Sequence, residues 1–458
     1  MAWQVVIAGG GFGGFYAARA LERLLPAQSA HVTLVNEANF LLYTPLLPGA
    51  AGATLDPRHV VVPLRSQLRC TDLVIGRVTG AEPSAGTLAV QRIDGEHLEL
   101  RYDQLIVALG SVSRTLPIPG LAEHATGLKS LSDATALRNQ LLSCLDIAES
   151  LEDPVRRAEY LGFVFVGAGY AGVEGLAELQ DFAVQAIEMY PRCRAQGMRW
   201  VLVEARERIM QEVPTSLSEF AEQELRGRGI EVRTQTTLAE VTERGVALAG
   251  GESVPARTVV WTAGVKPSPV VSRLGLPLDA EGRLLVDRTM RVAEDPAGGT
   301  PPAGPSRAGD EEDPVGAPSA TYPPRRAGVW AIGDCAAVPD ASRPGKSCPP
   351  TAQHAIRQGR LVARNVAATL SGGQTRAFRY KTKGVVAELG RNKAVAITLG
   401  IRWRGFPAWL IARTYHLLLM PGFGRRLRLL VDWNVALLFG RDASAPGRLG
   451  SPTPLEHD

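Results

Sequence analysis

No stretch of the 458-residue chain offers about 20 uncharged apolar residues in a row, so a membrane-spanning helix is not expected. Cysteine is sparse too. Cys70, Cys144, Cys193, Cys335 and Cys348 are scattered, with no C-x-x-C or C-x-x-x-x-C pair. That excludes a dithiol redox centre and a conventional zinc site, leaves no metal centre in view, and suits reduced thiols in a cytosolic protein. The first apolar strand begins at residue 3, so no signal peptide is expected. Neither sign of charge dominates overall, at a net +4, but the balance is uneven. Residues 376–441 carry +11, the tail 442–458 carries −2, and residues 1–375 carry −5. An acidic body with a basic C-terminal region points to an anionic partner at that end. At 48.9 kDa the chain is too long for one core, and two or three domains are expected.

What the chain does have is the same glycine fingerprint twice. Gly9-Gly-Gly11-Phe-Gly-Gly14 follows the apolar run Val5-Val6-Ile7-Ala8, and Gly167-Ala-Gly169-Tyr-Ala-Gly172 follows Phe163-Val164-Phe165-Val166. Each reads as a buried strand turning into a helix with G-x-G-x-x-G spacing. The first glycine makes the tight turn, the second lets backbone N–H groups approach a pyrophosphate, and the third lets helix and strand pack closely. The helix N-terminus then presents its partial positive charge to the phosphates. Glycine-rich turns also occur in strand-helix connections that bind nothing. Two in the same context imply two nucleotides held at once, and hence electron transfer between them.

The parts around each fingerprint recur in the same order. Strands 3–8 and 31–35 flank a helix at 13–25, and Asn36-Glu37 follow where an acidic side chain would bind ribose hydroxyls. Segments 73–79, 86–93 and 97–102 form a short strand excursion, and a buried strand ends on Gly110. A helix at 130–150 has Ser132 and Asp133 as candidate caps. Strand, glycine turn, a helix at 172–190 and the strand 199–203 ending in Glu204 then repeat the pattern, and a second excursion, 230–261, closes on Trp261-Thr-Ala-Gly264. Gly333-Asp334 closes a later strand, where the aspartate suits either a helix cap or the ribityl and pyrophosphate part of a flavin nucleotide. With the first fingerprint and Gly110, the flavin reading prevails.

The expected fold is α/β, with two Rossmann-like dinucleotide-binding domains, each carrying a small antiparallel strand excursion, and a C-terminal amphipathic helical region for membrane association. The expected boundaries are 1–115 and 263–375 for the first domain, 116–262 for the second, 376–441 for the C-terminal region and 442–458 for a disordered tail. Residues 293–327, rich in Pro, Gly, Ala and Ser, read as a flexible insertion.

The order of these parts, with Phe40-Leu-Leu-Tyr-Thr44-Pro45, Gly172-Val-Glu174, Trp261-Thr-Ala-Gly-Val265, Gly333-Asp-Cys, Ala352-Gln353, and Lys383-Gly384 followed by Leu389-Gly390-Arg391, resembles the type II NADH dehydrogenases, the non-pumping NADH:quinone oxidoreductases. The similarity runs from residue 3 to about 441, outside the insertion. It implies non-covalent FAD on the first unit (Gly9, Gly11, Gly14, Asn36, Glu37, Thr44, Pro45, Gly110, Gly333, Asp334). It implies NADH on the second (Gly167, Gly169, Gly172, Glu174, Glu204, Gly264), and a C-terminal region lying on the membrane. Glu174 matches the glutamate facing the nicotinamide–flavin contact. Glu204 stands where a carboxylate takes the ribose 2′-OH and repels a 2′-phosphate, although Arg206 and Arg208 lie close by. Lys383 matches a lysine near the flavin, where it stabilises the reduced ring. Gln353 matches the first glutamine of the quinone signature, but Arg357 replaces the second and His354 follows Gln353. Asn36 replaces a commoner acidic residue, which would pass the ribose role to Glu37.

The C-terminal region has its own physics. Segment 405–420 is apolar but broken by Arg413 and His416, while 425–439 places Leu427, Leu430, Val431 and Leu438 on one face, with Arg425, Arg428 and Asp432 opposite. Aromatics with basic flanks suit helices lying in an anionic lipid interface, and a packed homodimer interface is the competing use of the same faces. The partners expected are thus a membrane quinone and a lipid surface, with no nucleic acid, and the location is the cytoplasmic face of the cell membrane. A sulfide:quinone oxidoreductase, another NAD(P)H-dependent flavoprotein reductase, or an NADH-sensing flavoprotein with a basic partner-binding C-terminus would share the architecture. The first of these would need cysteines beside the flavin.

Overall fold

The computed structural model describes residues 2–293, 328–382 and 384–445. Most of the insertion (294–327), Lys383 and the end of the tail (446–458) lie outside the described residues. The chain forms two compact units: residues 1–41, 63–111 and 266–381, and residues 42–62, 112–265 and 382–458.

The first unit is built on a seven-stranded sheet in the order Gly328–Ala331, Gln104–Val107, Trp3–Ala8, Ala30–Asn36, Thr71–Glu82, Thr87–Arg92 and His97–Arg101. The first five strands are parallel, and the last two pair antiparallel as the excursion. Val5, Val6, Ile7 and Ala8 are all buried, as expected of a parallel strand covered on both faces. The helix Phe12–Leu24 packs against Ala352–Leu370 so closely that a Cβ on Gly359 would stand 2.2 Å from the Gly13 carbonyl oxygen.

The second unit repeats the plan. Its five-stranded parallel sheet runs Ala125–Gly127, Thr258–Trp261, Gly162–Val166, Arg199–Val203 and Ile230–Arg233. A three-stranded antiparallel excursion, Leu238–Thr242, Gly245–Leu248 and Ser253–Pro255, packs its Leu238, Val241 and Val246 with Val164 and Val201 in one core. In both units the fingerprint strand lies between the strand that follows its own helix and a strand from much later in the chain.

Four details depart from the sequence reading. The second excursion spans only 238–255, because the stretches 230–233 and 258–261 are strands of the main parallel sheet. The long helix is Leu131–Ser150 and its cap is Ser130 rather than Ser132: the Ser130 hydroxyl accepts from the Asp133 N–H, and the Asp133 carboxylate accepts from the Ser130 N–H. The second fingerprint helix is Tyr170–Ala186, and a 3-10 turn over Ile187–Met189 replaces its expected last turn. The C-terminal region opens with an unanticipated antiparallel sheet, Gly384–Glu388, Ala394–Thr398 and Ile401–Gly405, before its two helices, Phe406–Leu419 and Phe423–Leu438. Ala394, Ala396 and Ala408 form a small core where that sheet meets the first of these helices, because small side chains allow close approach.

Candidate functional site

In the first unit the glycine turn is held from the end of the neighbouring strand. The Gly10 N–H donates to Asn36 Oδ1 at 2.8 Å, while Asn36 Nδ2 donates to the carbonyls of Ala38 and Phe40. Glu37 is exposed and stands 3.4 Å from Arg77. A Cβ on Gly14 would lie 1.8 Å from the Gly9 carbonyl oxygen, so the close approach of helix to strand requires glycine. A Cβ on Gly11 would meet nothing within 4 Å, so this position faces open space. Ser111 Oγ–H donates to Asp334 at 2.6 Å, and the Gly333 N–H donates to Gln358. Gly110, Gly333 and Asp334 therefore come together at neighbouring strand ends.

Three further expected residues share the start of the helix Ala352–Leu370. Gln353 Oε1 accepts from the Tyr380 hydroxyl at 2.7 Å, and the Arg357 guanidinium lies 4.0 Å from the Tyr380 ring centre. His354 is buried beside Tyr380, its ring nitrogen 2.7 Å from the cap hydroxyl of Thr351. Burial holds the imidazole below its ordinary pKa, so it is neutral at physiological pH. Cys335 and Cys348 have thiols pushed up to about 11 by burial, opposite to the shift of a reactive thiol.

In the second unit the same loop device recurs with a charged acceptor. Glu204 Oε2 accepts the Ala168 N–H at 2.7 Å, and Oε1 accepts the Arg206 N–H at 3.0 Å. A Cβ on Gly172 would lie 1.9 Å from the Gly167 carbonyl oxygen, and Gly169, like Gly11, meets nothing. Gly167, Gly169, Glu204, Arg206 and Gly264 line one cavity of about 580 Å³. That volume is in the range of small-molecule and cofactor sites. An open second glycine, a helix N-terminus and a carboxylate at the strand end fit an adenine dinucleotide in each unit. The acceptor that holds the glycine turn is a carboxylate only in the second; in the first it is the Asn36 amide, with Glu37 next to it.

Glu174 stands apart from that cavity. With Pro45, it lines a smaller one of about 20 Å³, together with Glu178, Glu388, Thr54 and Arg413. Thr44 and Pro45 form the 3-10 turn Thr44–Leu46 above it in sequence. Glu388 N–H donates to Glu174 Oε1 at 2.9 Å, Thr54 Oγ1–H donates to Glu178 Oε2 at 2.7 Å, and Arg441 lies 3.2 Å from the same Glu178 oxygen. Burial pushes the Glu174 carboxyl up to about 8. Burial also raises Glu388 to about 7, with Arg413 at 3.7 Å opposing the shift. The folded state therefore holds protons that the unfolded chain releases above about pH 4.5, so stability falls as pH rises. Thermal melting should show the midpoint dropping between about pH 5 and 8, and Glu388→Gln should flatten the drop.

Sequence reasoning missed Glu178, Glu388, Thr54 and Arg441, because no motif joins four residues so far apart. Arg413 carried a signal that pointed the wrong way. Arg413 and His416 look like breaks in an apolar helix, yet His416 is buried and the Arg413 side chain is only 13% exposed, so the face they interrupt is the inward one. The Arg413 guanidinium lies 4.3 Å from the Trp409 ring centre and 4.8 Å from that of Trp433. A larger cavity of about 250 Å³ between the two C-terminal helices is walled by Trp409, Leu417, Leu430 and Leu437, and it shares Thr54, Arg413 and Trp433 with the carboxylate cavity. Asp432 turns inward to His59 at 2.6 Å. Lys383 lies outside the described residues.

Two glycine-turn nucleotide sites on duplicated parallel sheets define a two-dinucleotide oxidoreductase. Residues 3–297 match the pyridine nucleotide-disulphide oxidoreductase family. The chain is 30% identical to the type II NADH:quinone oxidoreductase Ndh of Mycobacterium tuberculosis, over 96% of this chain and 89% of that protein. It is 28% identical to the demethylphylloquinone reductase NdbB of Synechocystis, over 94% and 95% respectively. Its fold matches that of NDH2 from Plasmodium falciparum, solved in complex with NADH, with a TM-score of 0.83 at 18% identity over 97% of this chain and 100% of that one. The chain belongs to the type II NADH:quinone oxidoreductases, within the pyridine nucleotide-disulphide oxidoreductase family.

Proposed function

We propose that the protein reduces a membrane quinone with NADH through non-covalently bound FAD, without pumping protons. FAD, once bound, would supply the redox chemistry that links NADH oxidation to quinone reduction. The protein's part is placement and electrostatics. The turn at Gly9–Gly14, with Asn36, Gly110 and Asp334, would hold FAD, and Glu37, Thr44 and Pro45 would add contacts. The cavity at Gly167–Gly172, with Gly264, would hold NADH, whose ribose hydroxyls find spare lone pairs on Glu204. Glu174 would position the nicotinamide. From family resemblance alone, Lys383 would support the reduced ring, and Gln353 with Arg357 would receive a quinone carbonyl.

The observation that carries the quinone reading is the C-terminal pair of helices. Phe406, Leu418, Phe423, Leu427, Val431, Leu438 and Phe439 are exposed, while an apolar cavity opens between the same helices. Among the described residues no helix is long and apolar enough to cross a membrane. An exposed apolar face flanked by Arg425 and Arg428 suits a helix lying in an anionic lipid interface, from which a lipid-soluble acceptor would enter. Peripheral attachment follows from this reading, the cytoplasmic face is the side we propose, and a homodimer would use part of the same surface. Steady-state turnover with NADH against short-chain and long-chain quinones, with and without anionic vesicles, tests it; no quinone reduction under any condition would refute it. Replacing Phe423 and Phe439 by serine should weaken vesicle binding by about a hundredfold or more, since each inserted aromatic contributes roughly 1.5–3 kcal/mol. Vesicle co-sedimentation would show it.

A further inference from the structure

Reduction of a quinone by NADH has a proton to find. NADH gives up two electrons and one proton as hydride, while a quinone becoming a quinol takes two electrons and two protons. One proton per turnover must therefore come from water and reach an acceptor held away from it. This inference rests on the quinone-reductase reading above.

The cavity that joins Glu174, Glu178 and Glu388 is built for such a delivery. Three carboxylates from two elements, the helix Tyr170–Ala186 and the strand Gly384–Glu388, line a space of about 20 Å³. That is room for a single water, which needs two to four polar partners. Glu178 is 3% exposed; one of its oxygens is taken by Thr54 and Arg441, while Oε1 is buried without a hydrogen-bond partner. A buried carboxylate oxygen in that position calls for a proton or a donor to meet it. Arg413 and Arg441 are the cations facing the cluster; Asp181 lies behind Arg441 at 3.6 Å, but Arg228 at 2.7 Å balances its charge. The residues that the 45–55 segment and the second C-terminal helix turn to the cavity carry no charge. Three carboxylates against two arginines leave one negative charge in excess, so one bound proton makes the cluster neutral. A buried cluster of this composition favours holding that proton. The shared wall of Thr54, Arg413 and Trp433 places the cluster next to the apolar cavity between the C-terminal helices.

We propose that Glu388 is a proton-relay residue which, with Glu174, Glu178 and one bridging water, delivers to the reduced acceptor the proton that hydride does not supply. The carboxyl O–H bond breaks, an O–H bond forms on the quinone oxygen, and water from the medium reprotonates the carboxylate. Glu388 acts through Glu174 and the water rather than by touching the acceptor. Raised carboxyl pKa values in the neutral range match this task, because donor and acceptor then exchange a proton with little driving force either way.

The test uses the full-length flavoprotein and two acceptors. Ferricyanide takes electrons without protons, whereas a short-chain quinone needs both. In Glu388→Gln the ratio of quinone to ferricyanide turnover should fall about tenfold or more at pH 7.5, in keeping with the size of general acid contributions. The neutral-range titration in the quinone pH profile should also be lost, and Glu388→Asp should restore part of both. A ratio within twofold of wild type from pH 6 to 9, with an unchanged profile, would overturn the relay. Failure of the wild type to reduce quinone would instead overturn the functional reading on which the relay rests. If Glu388→Gln loses flavin or stability because Arg413 is left unpaired, Glu388→Gln combined with Arg413→Leu is judged by the same ratio.

Discussion

Alanine at position 14 is expected to yield a protein that purifies largely without FAD. The added Cβ would stand 1.8 Å from the Gly9 carbonyl oxygen, a distance that no side-chain rotation can relieve because both partners are backbone. Either the helix Phe12–Leu24 moves off its strand or the turn Gly9–Gly11 opens, and both displace the N–H groups that would meet the pyrophosphate. Overpacking of this kind costs about 1–3 kcal/mol, which spent on the cradle is a loss of up to roughly a hundredfold in FAD affinity. The ratio of flavin to protein absorbance after gel filtration reads the effect directly. Excess FAD should restore part of the activity, which unfolding of the unit would not allow. Full flavin occupancy in Gly14→Ala would remove the first turn from the FAD site.

The second large effect is expected at Glu204, where one carboxylate does two things. It holds the loop by accepting from Ala168 and Arg206, and it keeps lone pairs for the nucleotide ribose. Glu204→Ala should lower kcat/KM for NADH by about 10- to 150-fold, the value of a charge-assisted hydrogen bond of 1.5–3 kcal/mol. The same change removes the charge that repels a 2′-phosphate and leaves Arg206, which lines the cavity, facing the site. The NADPH value should therefore fall less, or rise, and the NADH preference should narrow. Glu204→Gln removes the negative charge and keeps one of the two loop hydrogen bonds, since its amide oxygen accepts while its NH2 group cannot. Equal losses with both nucleotides in both variants would confine Glu204 to loop support.

The duplicated sheets were legible because their signals are local: a run of buried apolar residues, a glycine turn and an amphipathic helix within about thirty residues. The strands Gly384–Glu388, Ala394–Thr398 and Ile401–Gly405 were not. They are five residues each: Gly384–Glu388 and Ala394–Thr398 are apolar without alternation, and Ile401–Gly405 alternates over too few residues to stand out from the basic stretch around it. Buried charge was the other blind spot. A single sequence makes Arg413 look like a solvent-facing interruption, because the burial of an arginine depends on a carboxylate partner 25 positions away in the chain. Glu178 reads as one more helix glutamate until Thr54 and Arg441 are placed against it.

The described residues on the two sides of positions 294–327 touch each other. Val292 N–H donates to the Val329 carbonyl at 2.9 Å, and Arg291 pairs with Trp330 across an antiparallel bridge, with Trp330 wholly buried beneath. Any flexible insert joining these ends closes between anchors already fixed at the edge of the core sheet, and its closure cost rises by only about 0.6 kcal/mol per doubling of length. A foreign domain spliced between Ala293 and Gly328 would inherit both anchors.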